Sequence, residues 1–212
     1  MFLLDFDGTL LDSNHVWVEV DLRFLAERGL KPTSEYTDFV AHSIFPVAAE
    51  YTRSYYHLPD TAEEIMEQWI ALAREAYSLH TPLKPGALTF LNACRNARKA
   101  TALVTACMPD LCRMALERHG LSGYLDQLIF AQELGLEKRD PVCFLEAARR
   151  LGVKPEDCVV LDDSPANCKS AMAAGMTAVG VYDDFFRDSE AEMRAVCRRY
   201  VTRLDELDPA TF

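Results

Sequence analysis

No run of apolar residues in the 212-residue chain approaches the roughly 18 needed to cross a bilayer. The start lacks the basic segment, long apolar stretch and small-residue cleavage site of a secretory signal, so a cytoplasmic location is expected. Basic residues are in short supply: 22 lysines and arginines face 33 aspartates and glutamates, for a formal charge of −11. So acidic a chain repels a nucleic-acid backbone, and its aromatic residues are not interleaved with basic ones as on a single-strand binding surface. Neither nucleic acid nor membrane is expected as a partner. The seven cysteines contain no CxxC and no Cys/His metal spacing, and several fall in apolar segments. They are expected to be reduced and structural.

What is present is the balance of a globular enzyme, 50% hydrophobic and 26% charged. The length allows one generous core, or a core with a small second domain. FLLDF is apolar enough for a short interior strand, and GTLLDS after it supplies a glycine and a turn that can wrap a ligand. Residues 14–84 differ in texture. VWVEVDLRFLAERG and TAEEIMEQWIALAREAYSLH place apolar residues every three or four positions, the second behind a Thr-x-x-Glu capping pattern, and no strand stands out. From about residue 85 helix and strand alternate: KPGALTFLNACRNAR, TALVT, MPDLCRMALERHG, LDQLIFAQ, PVCFLEAARRLGV, DCVVLDD, NCKSAMAAGM and TAVGVYDD. EAEMRAVCRRYV reads as a last helix, with an acidic start and a basic end matched to its dipole. Such alternation predicts an α/β fold with a mainly parallel sheet covered on both faces. The expected division is a core of residues 1–13 and 85–212 and an inserted all-helical cap of residues 14–84. The two linkers, one at the glycine and threonine after the first acids and one at Lys84-Pro85-Gly86, would let the insertion move as a lid.

Parallel sheets collect function in the crevice beyond the carboxyl ends of their strands. Four places qualify: Asp5 and Asp7 after FLL, Thr105 after ALV, Lys138 beyond LIFAQ, and Asp162 with Asp163 after CVVL. Carboxylates at the end of a buried strand cost free energy unless a cation or a reaction uses them. If these strands are neighbours, the cluster calls for a hard divalent cation with oxygen ligands, which suits Mg²⁺. Asp5 is then the expected nucleophile toward phosphorus, with Lys138 and the metal drawing charge from the phosphoryl oxygens. Asp7 would protonate the leaving oxygen and later deprotonate water, its backbone carbonyl reaching the metal. Thr105 and the N–H of Ala106 would hold a phosphoryl oxygen. Asp163 would ligate Mg²⁺ directly, and Asp162 would act through water or by orienting Lys138. Each residue alone has a plainer reading, as a turn cap, a strand terminator or a solvated loop charge. In the insertion, Arg53, Lys84, His42, His57 and Tyr55 are candidates for gripping the leaving group, against a reading in which Arg53 only pairs with Glu50 one turn earlier. The Trp69 and Leu72 face is expected to pack.

DFDGTLLDS, LVTAC, LEKRDP and VVLDDSPANCKSAMAAGM, in that order, resemble the four motifs of the haloacid dehalogenase-like hydrolase superfamily, in the subgroup with a helical cap between the first and second motifs. The resemblance spans essentially the whole chain. It implies a Rossmann-like core and, for most members, a Mg²⁺-dependent phosphatase working through an aspartyl phosphate on a small phosphorylated metabolite. It places the family roles on Asp5, Asp7, Thr105, Lys138, Asp162 and Asp163, in agreement with the roles read from the residues. Three departures stand out. Arg139 follows Lys138 where many relatives have proline, and could reach a second anionic group. Cys168 stands where glycine is frequent, and the first strand is short.

Asp7 argues against a C–Cl hydrolase, whose leaving chloride needs no proton, and against the phosphonate-cleaving members, which also lack this acid. A β-phosphoglucomutase-like isomerase is the alternative within the superfamily, although Trp17 stands where those members tend to have histidine. A weakly catalytic, metal-dependent binding module is the alternative of another class, opposed by the intact Asp5, Asp7, Thr105 and Lys138.

Overall fold

Alternate side chains of Phe-Leu-Leu point to opposite faces of a sheet and all three are buried, so β1 (Phe2–Leu4) is an interior strand. The computed structural model describes residues 1–41, 43 and 45–212 and separates into two units, Met1–Asn14 with Thr81–Phe212, and His15–His80. Asn14 and residues 81–84 thus belong with the first unit. His42, a candidate contact in the sequence, lies outside the described residues.

The second unit holds α1 (Val16–Glu27), α2 (Ser34–Ala41), α3 (Phe45–Tyr55) and α4 (Ala62–Leu79). Helix α4 starts where the capping pattern predicts. Thr61 Oγ1 accepts from the Glu64 amide, and the Glu64 carboxylate accepts from the Thr61 amide. Its Trp69 is buried in packing, edge-on to Phe24 with centroids 5.8 Å apart and tilted against Phe45 at 5.6 Å. Tyr36 is fully buried beneath Tyr51, Tyr55 and Tyr56, and its hydroxyl donates to Asp21 at 2.7 Å.

The first unit continues through α5 (Ala87–Asn96), β2 (Thr101–Thr105), α6 (Pro109–Arg118), β3 (Gln127–Phe130), α7 (Ala131–Leu134) and α8 (Pro141–Leu151). Then come β4 (Val159–Asp162), α9 (Pro165–Ala173), β5 (Thr177–Val181), α10 (Glu190–Val196) and β6 (Arg199–Val201). The six strands are all parallel, in the order β3-β2-β1-β4-β5-β6. This is a doubly wound, Rossmann-like sheet whose direction of growth reverses between β1 and β4. Leu4 of β1 lies opposite Leu103 of β2 and Leu161 of β4, so the carboxyl ends of these three strands are level. Leu3, Val104 and Val160 pack with Phe144 and Ala147 of α8 and Ala171 of α9. On the other face the ring of Phe2 meets Phe90 of α5 at 5.3 Å, so helices cover both sides. All seven cysteines are free and buried, and no helix among the described residues is long and apolar enough to cross a membrane.

The sixth strand corrects the sequence reading. EAEMRAVCRRYV was expected as one helix, but α10 stops at Val196 and Arg199–Val201 pairs with β5. Arg198 and Arg199 therefore do not serve a helix dipole. The close fit depends on Gly180 in β5: a Cβ there would stand 2.7 Å from Tyr200 Cδ2 and 2.8 Å from Met193 Cε. Gly180→Ala is expected to destabilise the first unit by about 1–3 kcal/mol through overpacking, read as a lowered Tm.

Candidate active site

The acids stand where the strands deliver them. Asp5 follows β1 directly, its amide bonded to the Leu161 carbonyl at 2.9 Å. The chain then turns sharply at Gly8, whose φ of +75° favours glycine, and the amides of Leu10 and Leu11 return to the Phe6 carbonyl. Asp162 ends β4, and one of its oxygens accepts from the Ser164 amide at 2.9 Å and from Asn167 Nδ2 at 3.1 Å, which fixes the carboxylate at the start of α9. Lys138 arrives from the loop ahead of α8, whose first turn is capped by Asp140 and opened by Pro141. Its Nζ lies 2.6 Å from Asp5 Oδ1 and 2.6 Å from Asp162 Oδ2, and only 4% of the residue is exposed.

Asp163 completes the cluster. One oxygen accepts from Thr9 Oγ1 at 3.3 Å, the other from Asn14 Nδ2 at 2.7 Å. Asp5, Asp162 and Asp163 are all buried, and each offers an oxygen within 4.8 Å of the others. Burial pushes the Asp5 carboxyl up, Asp162 and Asp7 push the same way, and Lys138 opposes them, which leaves it at about 7. Burial likewise raises Asp163, reinforced by Asp162 and Asp5. Burial disfavours the Lys138 charge, but Asp162 and Asp5 outweigh it and hold the ammonium above its ordinary value. Three buried carboxylates against one ammonium leave an excess of negative charge presented by oxygen donors alone. That donor set fits a hard divalent cation, Mg²⁺ above all.

Asp7 stands half-buried in the turn and accepts from Ser13 Oγ at 2.5 Å. Thr105, the last residue of β2, is buried, and its Oγ1 accepts from the Cys107 amide at 3.0 Å. That bond leaves the hydroxyl hydrogen available to another acceptor, and Ala106 beside it is exposed. Gly8 shows how closely the turn and the cluster fit, since a Cβ there would fall 2.2 Å from Asp163 Oδ2 and 2.3 Å from Asn14 Nδ2. Gly8→Ala is expected to cost more than about 1 kcal/mol and to displace Asp163, seen as a lower Tm and weaker Mg²⁺ binding.

Most of the other candidates have local partners of their own. Arg139 is exposed and paired with Glu137. Arg53 is paired with Glu50 within α3, at 2.6 Å. Tyr55 shares a 2.6 Å hydrogen bond with Thr33, and His57 is exposed. Lys84 belongs to the first unit rather than the insertion, buried against Asp183 at 2.8 Å. The sequence reading passed over Thr9, Ser13, Asn14 and Asp183. Asp183 lies beyond the carboxyl end of β5, so the strand-end rule that selected the other acids also reaches it.

A doubly wound parallel sheet with aspartates and a lysine gathered at its switch point defines an α/β enzyme. The chain belongs to the haloacid dehalogenase-like hydrolase family, whose model matches residues 1–175. Hexitol phosphatase B of Escherichia coli K12 is 29% identical over 182 residues, covering 84% of this chain and 82% of its own. Hexitol phosphatase A of the same strain is 30% identical over 196 residues, covering 85% and 82%. Among solved structures, a HAD family hydrolase of Deinococcus radiodurans R1 with bound phosphate and sodium superposes with a TM-score of 0.76 at 25% identity, over 99% of this chain and 93% of its own. A Thermotoga maritima protein provisionally named a β-phosphoglucomutase gives a TM-score of 0.83 at 23% identity, over 97% and 94%, a likeness of fold. Hydrolases of this family use a divalent metal, typically Mg²⁺.

Proposed function

We propose that the chain hydrolyses a small phosphomonoester in two displacements on Asp5. The observation that carries this reading is Lys138, buried with its ammonium 2.6 Å from both Asp5 and Asp162 while Asp163 stands in the same cluster. Asp5, Asp163 and the Asp7 backbone carbonyl would hold Mg²⁺, with Asp162 oriented on Lys138. When bound, the cation polarises the phosphoryl group and offsets its charge.

The protein groups divide the remaining work. A carboxylate oxygen of Asp5 attacks phosphorus, the ester oxygen departs, and Asp7 gives it a proton. Asp7 then takes a proton from water, which attacks the phosphoryl group on Asp5 and releases inorganic phosphate. The Ser13 hydroxyl donates to one oxygen of Asp7 at 2.5 Å and helps to orient the carboxyl. Thr105 and the Ala106 amide donate to a phosphoryl oxygen, and Lys138 balances the charge that Asp5 passes to phosphorus. Arg53 and Arg139 are each engaged with a neighbouring glutamate, and the steps above are written without them.

The test is phosphate release with Mg²⁺ and with EDTA across hexitol phosphates, sugar phosphates, phosphoglycolate, phosphoserine and nucleoside monophosphates, with β-glucose 1-phosphate followed for isomerisation. The two hexitol phosphatase relatives put polyol phosphates first in the panel. Metal-dependent phosphate release is the expected outcome. Isomerisation without net release would replace the phosphatase with a mutase, and silence with intact Mg²⁺ binding would leave a binding module.

A further inference from the structure

We propose that Lys84, Asp183 and Asn14 form a positioning relay that sets the orientation of the Asp163 carboxylate; this rests on the reading of Asp163 as a metal ligand. The relay begins with a buried ion pair, Lys84 Nζ 2.8 Å from Asp183 Oδ2, with 8% of one side chain and 4% of the other exposed. The second oxygen of Asp183 accepts from the Phe185 amide at 3.0 Å. Asn14 donates to Asp163 Oδ2 at 2.7 Å, and its amide also helps to lower the Asp183 carboxyl, beside the larger effects of burial, which raises it, and of Lys84. A side-chain amide has two N–H donors, so this one group can serve both neighbouring acids.

Charge explains why the far end matters. Asp183 repels Asp163, so a second carboxylate beside the cluster is tolerable only while Lys84 neutralises it. Without that ammonium, Asp183 would compete for the same cation and for the same Asn14 amide. The backbone ties the parts together. Asp12 N bonds to Pro82 O and Lys84 N to Leu10 O, each at 2.9 Å, and Leu11 bridges antiparallel to Leu83. The segments that lead into and out of the insertion therefore run side by side within the first unit, carrying Asn14 and Lys84 on one short ribbon. Partners that fix a ligand carboxylate commonly tune metal affinity as strongly as they tune stability.

The experiment is calorimetric titration of Mg²⁺ into the whole protein, its Asn14→Ala, Lys84→Met and Lys84→Arg variants and the Asn14→Ala/Lys84→Met double, each with its Tm and with kcat and KM. Asn14→Ala and Lys84→Met should each weaken Mg²⁺ binding by about 10-fold or more. The double should lose little beyond the worse single, because the two act in series. Lys84→Arg should recover most of the affinity, and KM at saturating Mg²⁺ should move less than kcat. A Lys84→Met protein with a lowered Tm but wild-type Mg²⁺ affinity would overturn the relay, as would additive losses in the double. Asn14→Ala leaves the buried ion pair whole, so wild-type Mg²⁺ binding in that variant overturns the proposal even if Lys84→Met fails to fold. Relay-dependent Mg²⁺ binding in a protein that releases no phosphate would sink the phosphatase and leave the relay standing.

Discussion

Asp5→Asn is expected to lower turnover by on the order of 10⁴-fold or more, since in the proposed mechanism no other group takes the place of Asp5 as nucleophile, while the protein stays folded. The stability half of this result follows from electrostatics. Folding moves the Asp5 carboxyl from 3.8 up to about 7, with burial as the largest cause. A carboxyl raised in this way penalises the native state above its unfolded value, and the penalty grows as pH rises from about 4 to about 7. At pH 7.5 the metal-free wild type carries that penalty in full. Asparagine has nearly the same shape, keeps an oxygen for the Lys138 ammonium and removes one of the converging negative charges. The metal-free variant should therefore melt at or above the wild-type temperature, and the rise in Tm on adding Mg²⁺ should shrink. Phosphate release above about 1% of wild type would remove Asp5 from the nucleophile's place.

What could be read before folding, and what could not, follows from the range of the interactions. Strands β1, β2 and β4 are runs of buried residues that end in polar ones, a local pattern, and the strand-end rule located Asp5, Thr105, Asp162 and Asp163 from it. Strand β6 escaped because it is three residues at the sheet edge with an exposed arginine, and arginines after an amphipathic run look like a helix end. Only the missing side chain at Gly180, 20 residues earlier, makes room for Tyr200, and no local window contains that relation. Lys84 was assigned to the insertion by position alone. Its partner Asp183 is 99 residues away, and a lysine next to a proline gives no sign that it will be buried. Lys138 has the same weak local context in EKRD, yet its place beyond LIFAQ and the order of the motifs single it out where composition would have left it in solvent.

Lys138→Met should have the opposite effect on stability from Asp5→Asn. It takes the ammonium away from Asp5 and Asp162 and leaves buried carboxylates facing one another. Breaking a buried pair from one side costs about 3–5 kcal/mol. For a chain of this size each kcal/mol is about 2–4 °C in Tm, so the metal-free variant should melt roughly 6–20 °C lower. Saturating Mg²⁺ binds the native state and restores part of the charge balance, so part of the lost Tm should return. Activity should not return with it. A cation held by Asp5 and Asp163 would not replace the Nζ contact to both Asp5 and Asp162, and turnover should remain about 10²–10³-fold down, the effect of losing one preorganised charge stabiliser. The double variant Asp5→Asn/Lys138→Met separates this account from a simple packing defect. Removing one of the carboxylates that Lys138 neutralises should stabilise the Lys138→Met protein by more than Asp5→Asn stabilises the wild type, a coupling visible only if the ion pairs hold the cluster together. If the two effects merely add, Lys138 contributes through the packing of its methylenes, and the charge balance of the site must come from elsewhere.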